Sequence, residues 1–220
     1  MALNKLKYNS LNVTPVANKA ISFDSDPDAL EATLEGGAMT FIKKLTASSD
    51  STLSFVDGSS DVVLDNTYKE YMFIYNNVHG ATDAQHFQFQ GNAVGGSGYN
   101  ETITSTYFEA LHKEDGADGS VTYRTDSDQA QGTSFETLIR YAGSDDADKS
   151  SSGFLRLFNP SSTTFVKHFI AEGNTLTGGE YSTHCFKAGY FNTTSAIDEI
   201  QFKFGSGNID SGTITLYGIN

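Results

Sequence analysis

The stretch that decides the fold is Ile197-Asp-Glu-Ile-Gln-Phe-Lys-Phe204, followed by Gly-Ser-Gly-Asn-Ile-Asp-Ser-Gly212 and Thr213-Ile-Thr-Leu-Tyr-Gly-Ile219. In the first segment apolar residues at positions 200, 202 and 204 alternate with polar ones, and in the last segment positions 214 and 216 do the same. A period of two places successive side chains on opposite faces of a β-strand. The middle segment is rich in Gly, Asn and Asp, which favour turns. The pattern predicts two strands joined by a long connection.

The same alternation recurs upstream at the spacing of a β-sandwich. Predicted strands cover residues 39–45, 52–56, 70–78, 85–90, 101–112, 121–124, 135–141, 154–159, 164–171 and 181–191, in addition to the final pair. Ser-, Gly- and Asp-rich segments separate them, without a long helical periodicity. We therefore predict an all-β, antiparallel jelly-roll-like β-sandwich of about ten to twelve strands. Because the 101–112 strand is long, we also expect a bulge or bend near Ser105.

Residues 1–37 differ from the rest of the chain and predict an extended N-terminal arm, followed by a β-sandwich domain at residues 38–220. The arm is interrupted by two prolines and has irregularly spaced apolar residues. We expect a strand at residues 20–23 and, after an Asp-rich cap, a single helical turn at residues 29–34. The segment is too apolar for a free tail, so its apolar residues are predicted to act in assembly. These residues are Leu6, Tyr8, Leu11, Val13 and Val16.

Charge and cysteine content exclude several classes of partner. The chain has 27 acidic and 14 basic residues and a net charge of −13, which disfavours binding to nucleic acid or to an anionic membrane. The single cysteine, Cys185, cannot form an intrachain disulfide and is expected to be a buried, inert thiol. Neither a membrane-spanning apolar run nor the apolar core of a signal peptide is present, so we expect synthesis in a cytoplasm-like compartment.

Residue patterns for catalysis and metal binding are weak. Asp24-x-Asp26-x-Asp28 has the spacing of the first ligands of a calcium loop, but Pro27 interrupts it and the glycine and later ligands of such a loop are missing. This cluster and the short acidic clusters at residues 115–118 and 145–148 are expected to be ordinary turns. The histidines form no HxH or HxxxH pair, and no G-x-S-x-G motif occurs. We predict no catalytic residue, cofactor or metal site. Six glutamates that could supply a glycosidase pair are expected mostly at solvated, outward strand positions; they are Glu70, Glu101, Glu109, Glu136, Glu180 and Glu199.

The remaining candidates for function are polar aromatic residues on strands and loops. Tyrosine combines an apolar ring with a hydrogen-bonding tip and suits contacts with glycans or proteins. Half-buried tyrosines are equally common in ordinary strand packing, so both interpretations stay open. The candidate binding residues are Tyr99, Asn100, Tyr107, Tyr181 and Tyr190.

Several sequence blocks resemble a β-sandwich module of virion structural and tail proteins of marine bacteriophages, including cyanophages. The blocks are Phe41-Ile-Lys-Lys-Leu-Thr-Ala-Ser-Ser49, Thr52-Leu-Ser-Phe-Val56, Val63-Leu-Asp-Asn-Thr-Tyr68, Gly153-Phe-Leu-Arg-Leu-Phe-Asn-Pro-Ser-Ser-Thr-Thr-Phe165, Ala188-Gly-Tyr-Phe-Asn-Thr-Thr-Ser-Ala196 and Ser206-Gly-Asn-Ile-Asp-Ser-Gly-Thr-Ile-Thr-Leu-Tyr-Gly218. The resemblance covers roughly residues 39–218 and supplies no catalytic residues.

This resemblance implies a virion component of the tail, a fibre or the capsid surface that is made in the host bacterial cytoplasm. We expect the arm to assemble it with other virion proteins or as a homo-oligomer, a trimer or a dimer. The sandwich would then serve host attachment or particle decoration. The alternative is a carbohydrate-binding, lectin-like module that recognises a host-surface glycan.

Overall fold

A computed structural model of the chain describes residues 38–220 and two short strands, β1 (Ser22–Phe23) and β2 (Leu30–Glu31). The chain divides into two units, residues 1–37 and residues 38–220. β1 and β2 pair antiparallel, so Leu30 and Glu31 belong to a strand and the helical turn predicted at this point is wrong. The predicted assembly residues Leu6, Tyr8, Leu11, Val13 and Val16 and the acidic cluster at 24–28 lie outside the described residues.

Residues 38–220 contain twelve strands, and every strand predicted from the sequence is present. The strands are β3 (Met39–Thr46), β4 (Leu53–Val56), β5 (Glu70–Gly80), β6 (Gln85–Ala93), β7 (Ile103–Lys113), β8 (Gly119–Tyr123), β9 (Glu136–Ala142), β10 (Ser151–Phe158), β11 (Lys167–Leu176), β12 (Tyr181–Phe191), β13 (Ile197–Phe204) and β14 (Ile209–Ile219). β14 begins earlier than predicted, and its register with β5 shifts near Ser211. Among the described residues, no helix is long and apolar enough to cross a membrane.

The strands form two antiparallel sheets with jelly-roll connectivity. The large sheet has eight strands in the order β3-β14-β5-β10-β11-β12-β7-β8, and the small sheet has four in the order β4-β13-β6-β9. Four pairs of neighbouring strands are nested along the chain, as in the winding of a jelly roll. They are β3 with β14, β4 with β13, β5 with β10, and β6 with β9. The hairpins β7–β8 and β11–β12 are inserted into this winding and widen the large sheet. The predicted sandwich is confirmed.

The core lies between the two sheets and is rich in phenylalanine. Phe202 on β13 is fully buried, and its ring centroid lies 5.5 Å from that of Phe73 and 6.0 Å from that of Phe87. Edge-on and offset contacts of this kind add to the free energy gained from burying the rings. Cys185 is also buried, as predicted, and burial raises the pKa of its thiol. The alternating residues that identified β13 in the sequence therefore supply the centre of the core.

Two paired glycines make room for a buried tyrosine of the core. Gly153 and Gly173 are partners in neighbouring strands, and a Cβ atom on either would lie within 2.5 Å of the Tyr75 hydroxyl. That hydroxyl donates a hydrogen bond to the carbonyl of Glu172 at 3.2 Å. Burial raises the pKa of Tyr75 well above its ordinary value. Because residues 153 and 173 are glycines, the Tyr75 hydroxyl can be buried between the strands with its hydrogen bond formed.

The inserted β7–β8 hairpin extends the large sheet past the edge of the small sheet. β7 pairs with β12 in continuous register from Ile103 to Lys113, so the bulge predicted near Ser105 is wrong. The chain after β8 continues along β7, where the amide of Ser105 donates to the carbonyl of Gln129 at 2.9 Å. This connection and β9 cover the inner surface of the extension, and the polar residues described next lie there.

Candidate functional site

A cavity of about 430 Å³ opens where β7, β8 and β12 meet the end of β9. Its position follows from the widened sheet: β9 is the edge of the small sheet, so the inner surface of the extension is only partly covered. The size falls in the range of about 300–1,000 Å³ that is typical of small-molecule sites. Its lining residues are Asp83, Ala84, Glu109, Leu111, Asp118, Arg124, Arg140, Tyr141, Thr177, Gly178, Gly179, Tyr181 and Thr183.

The floor of the cavity is a charged cluster formed by Glu109, Arg124 and Arg140, and Asp126 pairs with Arg140 outside the lining. Glu109 has a side chain that is only 3% exposed, and its Oε1 accepts a hydrogen bond from Arg124 Nε at 2.7 Å and lies 2.6 Å from Arg124 Nη2 in an ion pair. Arg140 Nη2 donates to Asp126 Oδ2 at 2.6 Å. Partial burial acts to raise the pKa of Asp126, but the hydrogen bond and charge of Arg140 outweigh it, and this pKa lies below its ordinary value. The two guanidinium charges are therefore balanced before any ligand enters.

Arg140 is the least satisfied member of this cluster. Its side chain is 10% exposed, and its Nε is enclosed without a hydrogen-bond partner among residues 38–220. A buried donor without a partner costs about 1–3 kcal/mol, so most proteins avoid it. The guanidinium lies against the ring of Tyr141, with Cζ 4.2 Å from the ring centroid. This cation–π contact joins the charged floor to the mouth of the cavity.

Tyr141 and Tyr181 supply the aromatic part of the lining. Tyr141 has a φ of +52°, a left-handed conformation that bulky residues rarely adopt, and its side chain is 44% exposed. Ala84, which also lines the cavity, and Glu180, between the lining residues Gly179 and Tyr181, have φ values of +55° and +60°. The Tyr181 hydroxyl donates to Asp118 Oδ2 at 3.3 Å. Backbone strain of this kind concentrates at functional sites.

A second ion pair is completely enclosed beside the cavity. Lys187 on β12 contacts the carboxylate of Glu136 on β9, and its Nζ donates to the carbonyl of Ser127 at 2.7 Å. Burial lowers the pKa of Lys187, while Glu136 opposes this shift. The other Glu136 oxygen, Oε2, accepts from Ser105 Oγ at 3.1 Å and from Gln129 Nε2 at 3.0 Å. The pair thus ties the small sheet to the extension of the large one.

The predicted binding residues do not form one site. Tyr181 lines the cavity, whereas Tyr190 lies on the opposite face of the large sheet. Tyr99 is half-buried near Phe135, with a centroid distance of 6.4 Å, and Asn100 is exposed beside it. Tyr107 is fully buried beneath Lys187, whose Nζ lies 4.8 Å from its ring centroid, so Tyr107 is not part of the accessible surface.

Sequence analysis missed the buried charged residues in and beside the cavity. Glu109 and Glu136 were expected at outward positions, and this is wrong because both are buried on inner surfaces. One signal was available: Glu109 lies two residues after Tyr107, so both belong to the same strand face. The acidic turns at 115–118 and 145–148 were expected not to bind metal. Within the described residues, no group of three or more His, Cys, Asp or Glu side chains is arranged to hold a metal ion.

The other notable surface is the outward face of the large sheet, here called the outer face. Strand registers place Tyr123, Phe108 and Phe186 side by side across β8, β7 and β12. The rings of Phe108 and Phe186 stack at 4.7 Å with an interplanar angle of 8°. Ile170 is 43% exposed and Phe41 is 60% exposed. Further apolar outer-face residues are Met72, Ile74, Phe154, Phe158, Ala188, Tyr190 and Tyr217.

A shallow, mostly apolar depression of about 460 Å³ lies within the outer face. It forms where Ala188 and Gly189 contribute little side-chain volume between the larger Ile170 and Tyr190. Contiguous exposed apolar patches of this kind are rare on monomers and mark interaction surfaces. The outer face and the cavity are therefore separate candidate sites on opposite sides of one sheet.

Comparisons with known proteins do not assign the chain to a family. No protein-family model matches it, and searches of curated proteins and of solved structures find no significant match. Its fold is established by the strand topology, and the arguments about its function rest on the residues of the cavity and of the outer face.

Proposed function

We propose that the protein is a structural component of a bacteriophage virion, in the tail, a fibre or the capsid surface. In this proposal it forms a homo-oligomer, a trimer or a dimer, and binds other virion proteins. The sandwich serves host attachment or decoration of the particle. The sequence blocks that resemble phage virion modules support this role, as does the jelly roll, an architecture common among capsid domains. Fold similarity alone does not determine function.

The observation that carries the proposal is the apolar outer face. Its rows of aromatic and aliphatic side chains cross several strands, and Ile170 at its centre is 43% exposed. Charged residues on this face are few and include Arg156, which lies beside Ile170 in the strand register and pairs with Glu70. Burying this surface against a sister subunit would gain free energy in proportion to the apolar area removed from water. Residues 1–37, which contain the predicted assembly residues Leu6, Tyr8, Leu11, Val13 and Val16, provide the proposed second assembly element.

Incorporation into particles tests the proposal. Phage particles purified on a density gradient from cultures that produce the chain are analysed with an antiserum against it. The full chain is expected in the particle fraction, and Ile170→Glu is expected to reduce its incorporation at least tenfold. Ser206→Glu, which adds the same charge to an exposed loop between β13 and β14, is the matched control and should incorporate normally. Absence of the unaltered chain from purified particles would contradict the virion role.

A further inference from the structure

The cavity combines hydrogen-bond donors and acceptors in a way that suits one class of ligand. Arg124 offers donors immediately beside the carboxylate of Glu109. Asp118 and Asp83 add acceptors at the rim, where Asp83 Oδ1 already accepts from the amide of Ser144 at 2.8 Å. A hydroxyl group both donates and accepts, so neighbouring hydroxyls pair well with adjacent guanidinium and carboxylate groups. A ligand rich in vicinal hydroxyls is the best chemical match for this lining.

The charge of the lining disfavours an anionic ligand. Two arginines face three carboxylates, those of Asp83, Glu109 and Asp118. Arg140 is further neutralised by Asp126 outside the lining. An anionic ligand would find no unbalanced positive charge among these residues and would be repelled by the net negative charge of the chain. A phosphate or a carboxylate ligand is therefore disfavoured.

The tyrosines supply the apolar contact that such a ligand also needs. A pyranose ring presents a face of C–H groups that packs against an aromatic ring, while its hydroxyls point sideways. Tyr141 and Tyr181 both line the cavity, so an aromatic surface lies beside the polar cluster. Tyr141 is held there in a left-handed backbone conformation. The ring contacts Arg140 and His86 within the chain, and its exposed part remains accessible to a ligand.

We propose that this cavity is a carbohydrate-binding site for a neutral saccharide. The ring of one sugar unit packs on Tyr141 or Tyr181, and its hydroxyls bond to the Glu109–Arg124 pair and to Asp118. The volume of about 430 Å³ accommodates a short saccharide rather than a single small ion. This inference goes beyond the virion role and does not depend on it.

The test is a titration of the full chain with sugar probes, in which binding is measured by calorimetry and by ligand-observed NMR. The probes are the methyl glycosides of glucose, galactose, mannose and rhamnose, with glucuronic acid as the anionic comparator. Saturable binding of at least one neutral glycoside is expected, together with at least tenfold weaker binding of glucuronic acid. Absence of binding by all four neutral probes, or preference for glucuronic acid, overturns the proposal.

Variants locate the site. Tyr141→Gly removes the ring and its contact with Arg140, but glycine accepts the positive φ without strain, so the variant should still fold cooperatively while binding weakens at least tenfold. Asp118→Asn should weaken binding without loss of folding because Asp118 is exposed. Phe165→Ala removes an exposed aromatic ring that does not line the cavity and should bind normally. Full affinity in both Tyr141→Gly and Asp118→Asn would overturn the assignment, even if a glycoside binds elsewhere.

Discussion

Replacing Lys187 with methionine should show how strongly the buried ion pair stabilises the extension of the large sheet. Lys187 is nearly inaccessible, and Glu136, its partner, is fully buried. Methionine matches the length of the lysine stem but leaves the Glu136 carboxylate without its counter-charge. It also leaves the carbonyl of Ser127, which accepts from Nζ at 2.7 Å, without its donor. The Ser105 and Gln129 donors of Glu136 remain in place.

The expected loss is large because one charge stays buried and unpaired. Removing one partner of a buried pair costs about 3–5 kcal/mol. For a chain of this size each kcal/mol lowers Tm by about 2–4 °C, so Lys187→Met should lower it by about 6–20 °C. In the double variant Lys187→Met/Glu136→Gln no charge is left unpaired. The remaining loss should be about 1–2 kcal/mol, which corresponds to the hydrogen bond to Ser127 and imperfect packing.

A double-mutant cycle measured by urea denaturation separates these contributions. The four proteins are the unaltered full chain, Lys187→Met, Glu136→Gln and the double variant. We expect the double variant to be more stable than Lys187→Met by at least 1 kcal/mol, a strong positive coupling between the two positions. If the loss of unfolding free energy in the double variant instead equals the sum of the losses in the two single variants to within about 0.5 kcal/mol, the residues are not coupled. That result would refute the argument from the buried pair.

Three further outcomes follow from the structure. Gly173→Ala should lower the free energy of unfolding in urea by about 1–3 kcal/mol, because its Cβ would lie 2.2 Å from the Tyr75 hydroxyl; an unchanged midpoint would contradict this close packing. Burial, followed by the charge of Arg140, lowers the pKa of His86 below its ordinary value of 6.5, so the unfolded chain binds the proton first as the pH falls. Tm should therefore decrease from about pH 7 to pH 5, and His86→Gln should reduce this decrease; equal slopes would exclude the effect. A truncated chain that starts at Gly37 should unfold cooperatively, because residues 38–220 contain a complete core, and a broad thermal transition would argue against this.

The strands could be predicted because alternation directly reports which residues face the core. For β12 and β13 the predicted and observed bounds agree, and in β13 apolar residues recur at every second position from Ile200 to its last residue, Phe204. The jelly-roll class followed from the number and spacing of such strands. Nested pairing and the two inserted hairpins could not be predicted, because alternation carries no information about which strands are neighbours.

The candidate site was largely hidden from sequence analysis for the same reason. Because alternate residues of a strand share a face, Glu109 and Tyr107 can be assigned to the same face from the sequence. The sequence does not show whether a second layer covers that face. The connection between β8 and β9 supplies that cover, and its irregular path has no sequence pattern. Tyr141 was equally hidden, since its importance comes from a positive φ next to Arg140. Only Tyr181 among the predicted binding residues lines the cavity.

The most direct test of the proposed assembly is the mass of the full chain in solution, measured by light scattering. The 23.7 kDa chain is expected to have the mass of a dimer or a trimer, and Ile170→Glu is expected to have the mass of a monomer. Ser206→Glu should keep the mass of the unaltered chain. A monomeric full chain, or an Ile170→Glu variant that keeps the mass of the unaltered oligomer, would contradict assembly through the outer face.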